Sequence, residues 1–259
     1  MSDSPARLPV VLYWHMHQPD YRGPEGSDYQ LPWVYLHGIK DYVDMVAHLE
    51  AEPKARAVVN FVPVLLEQIS DYADQINAWL ETGKTIGDPL LAALAGPGIP
   101  SDHAERMELL KACRRANETH LIDRFQAFRD LADLAGIIDD EPARVGYLND
   151  QYFADLLVWY HIAWMGESVR DNDARLEMLT KKARDFTADD RRQLVTLIGE
   201  LMDSIVPRYK RLAEQGRVEL SVTPYAHPIM PLLVDLQSAR EAVPHIELPD
   251  ADSYPEGED

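Results

Sequence analysis

Apolar positions in this chain follow two periods, one extended and one helical. Leu8 to Trp14 is a nearly unbroken apolar run that stops at His15-Met16-His17-Gln18-Pro19. Short runs rich in β-branched and aromatic residues read as parallel strands buried on both faces. Pro19 cannot extend a ladder, so His15, His17 and Gln18 are predicted at the carboxyl end of a strand. In α/β folds that edge is where ligands bind. Ile39, Tyr42, Val43, Val46 and Leu49 recur at helical spacing and predict a helix over about Gly38 to Ala51. Ala57-Val58-Val59-Asn60-Phe61-Val62 predicts a second strand. Pro63 ends it and suits the first turn of the next helix, which runs to about Glu81 with Leu66, Ile69, Ile76 and Leu80 on its apolar side. Two strands joined by a crossover helix form a parallel pair.

From about Leu90 to Gly216 the pattern is helical with almost no strand signal. Met107, Leu110, Cys113, Leu121, Phe125, Phe128 and Leu131 mark one long helical region, and Phe153 to Met165 a second, rich in aromatics. Thr187 with Asp190 is an approximate capping box. It opens a third helix striped by Leu194, Leu197, Ile198, Leu201, Met202, Ile205, Tyr209 and Leu212, and Gly216 suits its C-terminal cap. The aromatics of this block read as core packing. A third strand follows at Arg217 to Thr223. It ends as the first does, with a histidine between prolines (Pro224, His227, Pro228), before a leucine-rich segment over Ile229 to Leu236. Three parallel strands are few for 259 residues, because a parallel sheet must be covered on both faces or closed into a barrel of about eight strands. Either further strands lie within the helical block or the fold continues beyond residue 259; the second is the expectation, with 85–216 as a mainly helical insertion and 244–259 as an acidic tail or truncated linker.

Composition narrows the function. The net charge is −19, which disfavours nucleic acid and anionic membrane as partners but leaves a neutral sugar unaffected. Cys113 is the only cysteine; it excludes an internal disulfide and falls on an apolar stripe. Met1 to Arg7 lacks the pattern of a secretion signal, and no apolar run approaches the roughly 20 residues of a membrane span. A soluble, cytoplasmic protein is expected.

Three polar clusters fall at predicted strand ends: His15/His17/Gln18, Asn60, and Tyr225/His227. If the strands are parallel neighbours, these share one rim. The strand alternation of His15 and His17 lets both rings point the same way. That pattern fits a metal site completed by His227, a satisfied core histidine, or hydrogen bonding to sugar hydroxyls by neutral imidazole. Trp14, Tyr21, Trp33 and Tyr35 lie near this rim in sequence, as stacking faces for sugar rings or as packing for a loop. Glycoside hydrolysis needs two positioned carboxylates. No Asp or Glu ends an apolar strand; Glu219, inside the third strand, is a weak candidate. The chain has no phosphate-binding glycine loop, no G-x-S-x-G and no C-x-x-C.

Four stretches resemble glycoside hydrolase family 57. They are His15-Met16-His17-Gln18-Pro19; Leu31-Pro32-Trp33-Val34-Tyr35-Leu36-His37 with Lys40-Asp41-Tyr42; Asn60 to Ile69; and Thr223-Pro224-Tyr225-Ala226-His227-Pro228-Ile229-Met230-Pro231-Leu232-Leu233. The resemblance implies an α/β fold, an incomplete (β/α)7-type barrel, and a retaining mechanism on α-glucans such as starch, glycogen or maltooligosaccharides. It places His15, His17 and His227 beside the scissile bond; Gln18, Asn60 and Tyr225, from the strand-end clusters, and the aromatic Trp33 are taken with them as substrate-binding residues. It implies no cofactor and no obligatory metal. It also implies that the nucleophilic Glu and the acid/base Asp lie beyond residue 259, so residues 1–259 would be the N-terminal, inactive part of the barrel. The alternatives are a metal-dependent hydrolase or deacetylase built on His15, His17 and His227, and a non-catalytic glucan-binding protein.

Overall fold

The structure, a computed structural model, describes residues 8, 10–24, 26, 28–139, 142–251, 253 and 254. The N-terminal residues 1–7, and positions 252 and 255–259 of the acidic tail, lie outside the described residues. Three strands form one parallel sheet in the order β1-β2-β3: β1 (Tyr13–Met16), β2 (Ala57–Phe61) and β3 (Val218–Val222). The register aligns Tyr13 with Val58 and Glu219, and His15 with Asn60 and Ser221. The α/β class with parallel strands is present; the described strands do not close a barrel.

The first strand departs from expectation. It starts at Tyr13, not Leu8, because β2 offers partners only from there; one further bond, Val58 N–H to the Leu12 carbonyl (2.8 Å), precedes the ladder. Nor is the run buried on both faces: Val10 and Val11 are each 75% exposed. Period-two alternation divides the sheet. Met16, Ala57, Val59, Phe61 and Val218 are buried on one face, where the Phe61 ring meets Tyr209 edge-on at 5.1 Å. Tyr13, His15 and Glu219 stand exposed on the other.

The β1–β2 crossover begins earlier than the apolar spacing suggests. α1 (Trp33–His37) starts directly after Pro32, passes through a π-helical turn (Gly38–Tyr42) and continues as α2 (Val43–Ala51). Trp33 and Tyr35 are therefore helical rather than loop residues, and Tyr35 is fully buried. α3 (Pro63–Thr82) carries its proline in the first turn and ends at Gly83 with φ 76°. That is the left-handed geometry glycine tolerates best.

All described elements between α3 and β3 are helical. The long region read through Cys113 to Leu131 is interrupted. α4 (Pro89–Ala95) and α5 (His103–Cys113) are followed by a π-helical turn at Glu118–Ile122 and then α6 (Gln126–Asp139). The earlier helix ends at Cys113, and the Asn117 side chain caps the new start by accepting from the His120 N–H (2.9 Å). α7 (Asp150–Trp164), α8 (Glu167–Asn172) and α9 (Ala174–Lys182) precede α10 (Ala188–Glu214). The Thr187–Asp190 capping box is present, and Gly216 sits at φ 66° past the helix end. α10 packs along α3 so closely at Gly199 that a Cβ there would lie 2.7 Å from Ile76 Cγ2. Beyond β3, α11 (Met230–Val234) and α12 (Ala239–Ala242) bury no residue. Cys113 is fully buried, and burial pushes its thiol far above the ordinary value. Among the described residues, no helix is long and apolar enough to cross a membrane.

Candidate functional site

The bare face of the sheet and its carboxyl rim bring three histidines together. His15 stands on the bare face of β1 and His17 just past the strand end. Strand alternation sets their rings on one side, centroids 6.0 Å apart and planes within 11°. His227 arrives from the turn after β3, where its N–H donates to the Pro224 carbonyl (2.9 Å). Its φ of 56° is left-handed, a region that histidine enters more readily than most residues. The His227 ring lies 4.7 Å from that of His15 and 4.8 Å from that of His17. Burial, and then the neighbouring His227 and His15, lower the pKa of His17 below its ordinary 6.5. His17 is therefore neutral at pH 7, with one donor and one acceptor.

Beside His15, in the same row of the sheet, Asn60 is buried. Its Nδ2 donates to Ser221 Oγ (3.2 Å), while its Oδ1 and the Thr223 hydroxyl are buried with no protein partner. An unmade bond of this kind costs about 1–3 kcal/mol, so the rim holds unused hydrogen-bonding capacity. Gln18 turns toward the crossover, its Oε1 accepting from the Tyr21 hydroxyl (2.8 Å). The loop itself is clamped by Gln68, fully buried on α3. Gln68 Nε2 donates to the Pro19 carbonyl (2.9 Å) and its Oε1 accepts from the Tyr21 N–H (3.0 Å).

Tyr225 is 53% exposed beside the histidines, and its hydroxyl donates to Glu67 on α3. Glu67 also pairs with Arg22 (3.2 Å), and Arg22 with Asp20 (2.8 Å). Hydrogen bonds from Tyr225 and then Arg22 hold the Glu67 carboxyl below the usual carboxylate value.

Trp33 makes its ring contacts elsewhere, with Trp164 at 6.1 Å and His37 at 6.4 Å. His37 Nδ1–H donates to Asp41 (2.5 Å), which also accepts from Lys40 (2.7 Å). Burial raises the Asp41 carboxyl, but these two bonds outweigh it and hold the carboxyl below its ordinary value. Glu219 is exposed in the Tyr13–Val58 row, two residues short of the His15 row. Among the described residues, no group of three His, Cys, Asp or Glu side chains is arranged to hold a metal ion.

Glu67, Gln68, Arg22 and Asp20 escape a reading based on strand ends alone. For Glu67 and Gln68 the sequence does carry a signal. Pro63 marks the start of α3 at the end of β2, so residues one turn into that helix flank the same rim. The His37–Asp41 pair is an i,i+4 spacing on a helix whose start was placed too late.

Residues 11–249 match the family description "Glycosyl hydrolase family 57". No curated protein and no solved structure matches the chain. The matched span holds the histidine rim, Asn60 and the Tyr225 turn. With nearly the whole length covered, the chain belongs to glycosyl hydrolase family 57, whose members hydrolyse or transfer glycosidic bonds in glycan substrates.

Proposed function

We propose that this chain is the N-terminal, substrate-binding part of a cytoplasmic retaining enzyme acting on α-glucans. The observation that carries this reading is the meeting of His15, His17 and His227, with ring centroids 4.7 to 6.0 Å apart, on one sheet rim. The neutral His17 imidazole matches the mixed donors and acceptors of sugar hydroxyls. Gln18 follows His17 directly and Tyr225 precedes His227 by two residues, while the Trp33 ring packs against Trp164 and His37.

In a retaining mechanism one carboxylate attacks the anomeric carbon while a second carboxyl group protonates the leaving oxygen. The two stand about 5–5.5 Å apart. The described carboxylates nearest the rim, Asp20 and Glu67, are engaged by Arg22 and Tyr225. The reacting pair is assigned to chain beyond residue 259. The bare sheet face and the outer edges of β1 and β3, unpaired among the described strands, support that assignment. The test is calorimetry and turnover with maltoheptaose and residues 1–259. Binding without sugar release is expected, with affinity falling about tenfold or more in His17→Ala. Hydrolysis or transfer by 1–259 that disappears in His15→Ala would overturn the placement of the carboxylates.

A further inference from the structure

The turn that delivers His227 has little apolar anchorage. Tyr225 is 53% and Ile229 62% exposed, and the α11 helix behind them buries nothing. Two hydrogen bonds tie Tyr225 to α3. Its carbonyl accepts from the Val64 N–H (3.2 Å), and its hydroxyl donates to Glu67 Oε2. Glu67 is itself half exposed, so its carboxylate needs a second constraint to present one oxygen steadily. Arg22 supplies it. With its side chain only 14% exposed, Arg22 reaches Glu67 Oε1 through Nη1 and grips both Asp20 oxygens through Nε (2.9 Å) and Nη2 (2.8 Å). The Arg22 N–H also donates to Asp20 Oδ1 (3.0 Å). The relay thus runs from the loop following His17, through α3, to the turn carrying His227.

We infer that Glu67 and Arg22 are positioning residues: by joining the loop after β1 to the turn after β3, they set the distance of the His227 ring from His15 and His17. Glu67 and Asp20 stand open to solvent, where ion pairs add little to stability. The relay's effect is therefore geometric, and its loss leaves the fold standing. His227 alone of the three rings depends on it, because His15 lies within the β1 ladder and the segment after His17 is held independently by Gln68. The consequence for sugar binding rests on the α-glucan reading above; the ring geometry does not.

The experiment uses the whole chain 1–259 and its Glu67→Ala, Glu67→Gln and Tyr225→Phe variants. Nuclear Overhauser contacts between ring protons report the 4.7 and 4.8 Å separations of His227 from His15 and His17. Calorimetry with maltoheptaose reports binding. Glu67→Ala and Tyr225→Phe are expected to lose the His227 contacts while keeping the helical circular dichroism. Glu67→Gln, which retains an acceptor for Tyr225, restores part of them. Maltoheptaose affinity follows, falling about tenfold in Glu67→Ala. Wild-type ring contacts in both Glu67→Ala and Tyr225→Phe would overturn the inference. Ring contacts that respond as stated, in a chain that binds no maltoheptaose, would uphold the relay and overturn the α-glucan reading instead.

Discussion

His161 should make the stability of this protein acid-sensitive by an amount the structure specifies. It is fully buried on α7, its Nδ1–H donating to the Leu157 carbonyl (2.7 Å) and its Nε2 accepting from the Tyr35 hydroxyl (2.9 Å). Those bonds need the neutral ring, and burial lowers its pKa from 6.5 to about 4. Between these values the unfolded chain binds a proton that the native chain excludes, so stability falls as pH falls. The contribution is fully present above about pH 6.5 and is lost as pH drops through about 4. A difference of about 2.5 pKa units corresponds to about 3 kcal/mol. His161→Gln removes the titration. At pH 7 it should cost about 1–3 kcal/mol, because two buried hydrogen bonds are disturbed. Near pH 4 the wild-type protein has lost its advantage and the gap should close or reverse. Urea denaturation, followed by tryptophan fluorescence and circular dichroism, measures the wild-type minus variant difference across this range. A difference that stays constant with pH would refute the reasoning.

Asp88 should act in the opposite sense. It caps α4, accepting from the Leu90 N–H, the Leu91 N–H and the Tyr72 hydroxyl, and burial raises its carboxyl from 3.8 to about 6. Its contribution is greatest below about pH 4 and is lost as pH rises through about 6. The same denaturation series on Asp88→Asn should show a difference of about 3 kcal/mol with inverted slope. Gly199→Ala should destabilise by about 1–3 kcal/mol despite better helix propensity, since the new Cβ meets Ile76 Cγ2 at 2.7 Å; Ile76→Ala removes that methyl, so the double variant should lose less thermal midpoint than the two single variants summed. Thr187→Ala removes one half of the α10 capping box and should cost about 1 kcal/mol in the same urea assay.

Much of the scaffold was legible because it rests on local rules. Pro63 opens α3, the Thr187–Asp190 pair caps α10, and Gly216 follows that helix, each as backbone chemistry requires. The errors arose where a local rule met a competing one. The apolar run from Leu8 looked like a buried strand, yet a strand exists only where a neighbour pairs with it, and β2 pairs from Tyr13. Trp33 and Tyr35 read as loop aromatics because the π-helical turn at Gly38–Tyr42 separates α1 from the regular helical spacing of α2. Apolar spacing reads through Cys113, yet α5 ends there and Asn117 caps a separate turn.

By itself, the sequence determined that polar groups end the apolar runs at His15, His17, Asn60 and His227, because strand alternation and proline are properties of short segments. Only the tertiary structure decided that these ends meet. The order β1-β2-β3 sets His15, Asn60 and Ser221 side by side in one row, and a left-handed His227 closes the triangle of histidines. It also recruited Arg22, Glu67 and Tyr225 into one relay. Residues 45 and 158 positions apart become partners only when the chain has packed, and no local pattern encodes a contact across that separation.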